Sequence, residues 1–327
     1  GENLKDDDYE NLNDYYETCQ TLNSTIQGLA SDLASNSISW KELTKEENTA
    51  FLAQEVANIS KDSFSKIEQD MQDYEGLIYD GPFSEHMTSS KPLGLGSEVY
   101  SEEKAKEKVY EYVDKTRITE LKSNGIVNGN IKSYSFSFVL DSKINGYINV
   151  TEQGGHVLWM DISRNVANEN VTKEQANAIG KDFLEKHGFG EMKESYFTNE
   201  NGVLTINYAF NQNGIICYPD LVKVKVALDN GEVLGLESQS YLNSHRKRDL
   251  PKVNISMQEA QKKINSKLEI LSSTVTIIPT DWKTEVAAYE FKGKMNDRNF
   301  IVYINIENGR EEKVFMILDT PGGTFTI

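Results

Sequence analysis

An internal repeat constrains this chain more than any other feature. Three segments open alike: Ser101-Glu102-Glu103-Lys104-Ala105, Thr172-Lys173-Glu174-Gln175-Ala176 and Ser256-Met257-Gln258-Glu259-Ala260. Each begins with a hydroxyl residue suited to capping a helix and places an acid in the first turn, where the helix dipole favours negative charge. Thr172 with Gln175, and Ser256 with Glu259, also have capping-box spacing, while Lys104 takes that place in the first copy. An apolar stripe follows each opening: Ala105, Val109 and Val113; Ala176, Ile179, Phe183 and Leu184; Ala260, Ile264 and Leu268. Three such segments imply one supersecondary unit used three times.

Behind each helix the period changes to two. Tyr134, Phe136, Phe138 and Leu140 alternate with serines in the first copy. Leu204, Ile206, Tyr208 and Phe210 alternate in the second; Ala287, Tyr289 and Phe291, then Phe300, Val302, Ile304 and Ile306, in the third. This pattern predicts antiparallel sheet covered on one face. Asp229-Asn230-Gly231 and Glu307-Asn308-Gly309 sit between runs, where Asn-Gly predicts a tight hairpin with positive φ, and Gln153-Gly154-Gly155 holds the equivalent place in copy one. The fold class is therefore α+β: one helix on about four antiparallel strands, in units of roughly 75 residues that need to pack on one another to be stable.

Upstream, Tyr9, Leu12, Tyr16, Cys19, Leu22, Ile26, Leu29 and Leu33 form one helical stripe, and Leu52, Val56, Ile59, Ile67, Met71 and Tyr74 a second, opened by Thr44 and Glu47 at capping-box spacing. Two striped helices joined by a short break predict an antiparallel pair. Gly76, Gly81, Pro82, Pro92, Gly94 and Gly96 then interrupt regular structure, in a linker whose Leu77, Ile78, Tyr79 and Phe83 are expected to pack on a neighbour. The division is a helical hairpin over 1–75, a linker over 76–97, repeats over 98–166 and 167–243, a basic linker over 244–252 and a third repeat over 253–327.

A formal charge of −17 argues against binding to nucleic-acid phosphates or to a bare anionic membrane. Two cysteines, Cys19 and Cys217, make neither a disulfide framework nor a zinc site. No run approaches the ~18 apolar residues of a membrane span. The chain begins Gly-Glu-Asn rather than with Met, so a targeting or anchoring segment is expected to precede it.

No catalytic constellation is visible, and no metal or cofactor is expected. His86, His156, His187 and His245 form no metal-binding spacing; His187 ends a helix, where a partial positive charge suits the dipole. Cys217 lies in the apolar run Ile215-Ile216-Cys217-Tyr218 and reads as a buried, inert thiol. Asp6-Asp7-Asp8 reads as a solvated first turn. One patch opposes the global charge: His245-Arg246-Lys247-Arg248, before Pro251. It reads either as a solvated linker or as a docking site for an acidic partner or anionic glycan, with Arg246 and Arg248 forking onto carboxylates.

The three helix openings, each followed by strands and an Asn-Gly or Gly-Gly hairpin, resemble the PepSY domain. The stretch from Tyr74 to His86, the order of the repeats, and the ending from Val302 to Glu311 and from Leu318 to Gly323 are similar to the YpeB family of spore germination proteins. The resemblance covers essentially the whole chain. It implies three PepSY-like modules, a non-catalytic role, and an extracytoplasmic location at the spore inner membrane and cortex through an N-terminal anchor. It also implies a partner, the SleB-type cortex-lytic enzyme that cleaves spore peptidoglycan, which the protein would bind, stabilise and localise, with inhibition and contact with peptidoglycan as further expectations. Two other readings stand beside it: a sensory module binding a small molecule or muropeptide in an apolar cleft, and a cell-wall hydrolase, for which the sequence offers no particular carboxylate pair.

Overall fold

The computed structural model describes Phe83 and residues 91–249, 252–280, 284–320 and 323–326. The expected helices over 4–35 and 44–75, with Cys19 and His86, lie outside the described residues, as does most of the 76–97 linker.

Helix α1 (Glu102–Tyr112) precedes strands β1 (Ile118–Asn128), β2 (Lys132–Leu140), β3 (Ile144–Thr151) and β4 (Val157–Ser163). Helix α2 (Lys173–Lys186) precedes β5 (Met192–Glu200), β6 (Val203–Gln212), β7 (Ile215–Ala227) and β8 (Val233–Glu237). After a short helix α3 (Gln239–Ser244), helix α4 (Met257–Gln261) precedes β9 (Glu269–Pro279), β10 (Glu285–Met295), β11 (Arg298–Asn305), β12 (Glu311–Thr320) and β13 (Gly323–Thr326). Within each run the strands form an antiparallel meander.

The helix starts follow the sequence closely. Ser101 accepts from the Lys104 amide, and both Thr172–Gln175 and Ser256–Glu259 form full capping boxes. The third helix is shorter than its stripe suggests. It stops at Gln261, and Ile264 and Leu268 reach the core from tight turns made by the Ile264 amide on the Gln261 carbonyl and the Leu268 amide on the Asn265 carbonyl. Asn265 and Ser266 favour local side-chain hydrogen bonds over helix, and the Asn265 carboxamide takes the Lys267 amide. The turns at the two Asn-Gly sequences are wider than the shortest hairpin. Gly231 and Gly309 have positive φ, but their amides bond back four residues, to the Ala227 and Asn305 carbonyls.

The meanders join in two ways. Strands β4 and β8 pair antiparallel, Met160 opposite Leu236, so the first two meanders make one continuous sheet. Helices α1 and α2 cover the same face of it, over a core that includes Phe136, Phe138, Ile148, Leu184, Ile206, Tyr208 and Val224. His187 caps the end of α2 and stacks on Tyr112 at 3.9 Å, tying the two helices together. The second and third meanders close on each other. Strand β7 pairs parallel with β9, Cys217 opposite Ile277, and β13 meets β5 at Gly323 and Thr198. The strands β5, β6, β7, β9, β10, β11, β12 and β13 therefore form a closed ring.

Closure of the ring overturns the expectation of sheets covered on one face. In the second and third meanders the face turned away from the helices is buried too, by Tyr196, Ala209, Tyr218, Leu221, Ile278, Ala288, Ile301 and Tyr303. Among the described residues, only the first meander keeps an open outer face. Strand β1 ends the sheet with its outer edge unpaired among the described strands, and register shifts at Ile118/Glu120 and Ser123/Gly125 interrupt its pairing with β2.

Candidate functional site

Strand β7 organises the joint between the second and third meanders. Opposite β6, Ala209 pairs with Leu221 while Phe210 pairs with Cys217, so Tyr218, Pro219 and Asp220 bulge from the ladder. Proline lacks the N–H a ladder needs and is confined within sheets to edges or bulges. The bulge bends the strand from one sheet into the other and sends its two polar side chains to different places.

Tyr218 points into the ring. Its hydroxyl donates to Glu290 Oε2 at 2.6 Å, and the Tyr303 hydroxyl donates to the same oxygen at 2.8 Å. Glu290 is buried, with Lys292 Nζ 3.5 Å from its other oxygen. Burial, and then the nearby Glu290 charge, pushes the Tyr218 phenol far above its ordinary range; burial leads for Tyr303 as well. Phe83 fills the space above them. Its ring lies 5.4 Å from Tyr218, 5.4 Å from Tyr303 and 5.5 Å from Phe315, and it is 2% exposed. Its φ of 86° is strained for a phenylalanine and is held by this packing.

Asp220 points to the opposite side, toward the basic segment. It is fully buried and takes Arg248 in a fork, Nη2 to Oδ1 at 2.6 Å and Nη1 to Oδ2 at 2.9 Å. The same guanidinium reaches Glu285 at the start of β10, through Nε at 2.8 Å and Nη2 at 2.9 Å. Burial opposes the Arg248 charge, but the hydrogen bonds it donates to Glu285 and Asp220 outweigh this and its pKa is raised. His245 Nδ1 lies 2.9 Å from Asp220, and its ring stacks on Tyr241 at 4.1 Å. The Arg248 amide and carbonyl both pair with the Gln212 carboxamide.

The four basic residues thus divide. Arg248 turns inward and ties the two meanders together through Asp220 and Glu285, while His245 packs beside it on Asp220 and Tyr241, so this segment is a packed joint rather than a solvated spacer. Arg246 and Lys247 stay exposed; Arg246 also pairs with Glu285, at 2.8 Å. Beside them opens a groove of about 420 Å³ lined by Arg246, Lys247, Asp249, Glu285, Asn305 and Glu307 among others. Sequence reasoning found the basic residues but missed Asp220, Glu285 and Glu290. Pro219 inside a strand was the available signal for the bulge; Glu290, between Tyr289 and Phe291, sits on the face that alternation assigns to solvent.

Little here is poised for chemistry. Burial raises the Cys217 thiol to about 11, which keeps it protonated. No cluster of three or more His, Cys, Asp or Glu side chains suited to a metal occurs among the described residues.

The family model for YpeB sporulation proteins, described as their PepSY1 and PepSY2 domains, matches residues 60–251. The chain belongs to the YpeB sporulation family. Sporulation protein YpeB of Halalkalibacterium halodurans is 28% identical over 320 residues, which cover 96% of this chain and 70% of that protein. The Bacillus subtilis YpeB is 28% identical over 319 residues, 95% of this chain and 70% of its own length. Among solved structures, the YpeB C-terminal domain of Bacillus megaterium superposes with a TM-score of 0.61 at 27% identity, covering 68% of this chain and all of that domain. The YpeB match takes in both Phe83 and the basic segment, so the residues that close the ring from outside the strands lie within the family region.

Proposed function

We propose that this chain is a non-catalytic spore germination protein that binds, stabilises and localises a SleB-type cortex-lytic enzyme, and restrains it. Three PepSY-type modules, each a helix on an antiparallel meander, form the scaffold, carried on an N-terminal helical pair outside the cytoplasmic membrane at the spore inner membrane and cortex. Family membership supports the setting. The observation that carries the binding role is the groove beside the joint, where Arg246 and Lys247 face solvent on a foundation held by Arg248, Asp220 and Glu285. Buried charges pair internally, so this surface is rigid before a partner arrives, which lowers the ordering cost of binding. Its walls mix cations with the carboxylates of Asp249, Glu285 and Glu307. Such walls suit a polar polypeptide segment better than the apolar small molecule a sensory cleft would take.

Calorimetric titration against the cognate SleB-type enzyme, with cortex lysis followed in parallel, tests the proposal. Saturable binding that weakens in Arg246→Glu and Lys247→Glu supports it, and reduced lysis in the complex adds restraint to binding. Absence of binding by the unchanged protein overturns it.

A further inference from the structure

The open outer face of the first meander has a composition unlike an ordinary solvated sheet surface. Tyr147 on β3 is 46% exposed and Trp159 on β4 is 39% exposed. Trp159 stands opposite Asn149, and Tyr147, two residues along β3, stands opposite Asp161. The two aromatic residues are thus diagonal neighbours on one face, roughly 7–8 Å apart with their Cβ atoms somewhat closer. Around them lie Asn145 and Asn149 on the same strand and Ser135 and Ser137 across on β2. No intramolecular hydrogen bond engages the side chains of Asn145, Tyr147, Asn149 or Trp159 among the described residues, so their donors and acceptors are free to meet a ligand.

The charges at the border are cancelled in pairs. Lys225 Nζ lies 2.8 Å from Asp161, and Lys223 Nζ 3.3 Å from Glu237. The platform is therefore aromatic and amide-rich with little net field, on a chain of net charge −17 that repels polyanions. An uncharged partner complements that surface better than an acidic or basic one. Aromatic faces carry negative quadrupole density that attracts the polarised C–H groups on the flat face of a pyranose ring. Asparagine side chains offer both a donor and an acceptor to hydroxyl and acetamido groups.

We infer that this face binds a linear glycan strand of β-1,4-linked N-acetylhexosamines, laid across Tyr147 and Trp159. The inference deepens the proposed function by naming a wall-type material at which the protein is held. Its argument rests on the β3–β4 face and not on the groove beside Arg246, so the two can fail separately.

The test uses the full chain, without the partner enzyme, titrated with the soluble hexamer of β-1,4-linked N-acetylglucosamine. Calorimetry and tryptophan fluorescence give the affinity. The expected result is saturable binding, weakened at least about tenfold in Trp159→Ala and in Tyr147→Ala, with melting temperatures unchanged because both side chains are exposed. Leu271→Ala, at a 64% exposed apolar position on β9, is expected to bind like the parent. Two results would overturn the inference: no saturable binding of the hexamer by the parent, or an affinity in the two aromatic variants unchanged from that of the parent.

Discussion

Arg248 and Asp220 meet in a buried fork, 2.6 and 2.9 Å long, although 28 residues separate them in the chain. One carboxylate comes from the bulge in β7, and the guanidinium that neutralises it also holds Glu285 of the third meander. A link of this kind costs most when half of it is removed, because the surviving charge stays buried.

Arg248→Ala should therefore destabilise the protein by about 3–5 kcal/mol. Lysine at the same place cannot reproduce the fork and should recover only part of that loss. Urea unfolding of the two variants and the parent measures both effects. A loss below about 1 kcal/mol for the alanine variant would mean that the joint is held by apolar packing alone.

Phe83→Ala should cost about 3–5 kcal/mol, the usual range for emptying a buried phenylalanine site. The damage should be local. Hydrogen exchange should quicken in β7, β10 and β11, which line the ring, and stay unchanged in β2 and β3. Uniform loss of protection would show that the ring and the first meander unfold as one.

High pH should weaken the protein through Tyr218 and Tyr303. Their phenols stay neutral in the folded ring while unfolded tyrosine ionises near pH 10. Above that pH the folded state binds more protons than the unfolded state, so stability falls as pH rises. Below it the contribution is fully present. A double Tyr218→Phe and Tyr303→Phe variant should show a flatter melting-temperature profile between about pH 9 and 11, around the ordinary phenol pKa. It should also be less stable at neutral pH, since Glu290 loses both donors.

Cys217 should resist thiol reagents at pH 8 in the folded protein. It is 1% exposed, and its thiol is pushed up to about 11. In a Cys19→Ser variant, which leaves Cys217 as the single thiol, labelling should appear only across the denaturant transition, as absorbance with a chromogenic disulfide would record. Rapid labelling under native conditions would mean that the β7–β9 junction opens locally.

The parts of this structure that could be read from sequence are those settled by near neighbours. Capping at Thr172 and Ser256 depends on residues three positions away, and the Tyr134–Leu140 alternation depends on one strand having serines on its other side. Both were legible. In the second and third meanders Asn207, Ala209, Ala288 and Glu290 alternate with the apolar face and are small or polar, the usual marks of a solvent face. They are buried because another sheet covers them, and that is a fact about distant chain segments. The basic segment shows the same limit. Its charge was visible, but Arg248 is turned inward by Asp220 and Glu285, which lie far from it in sequence and carry no local signal.

Strand β1 now takes on a different meaning. Ring closure engages the edges of the second and third meanders where β7 meets β9 and β13 meets β5, and β4 pairs its outer edge with β8. Among the described strands, β1 is left as the end of the sheet, with Ile126 and Val127 exposed along it. The β1 edge can pair with a second copy across a two-fold axis, but that pairing consumes the edge in both. Self-association by strand addition at β1 would stop at two, so this edge cannot by itself grow a fibre.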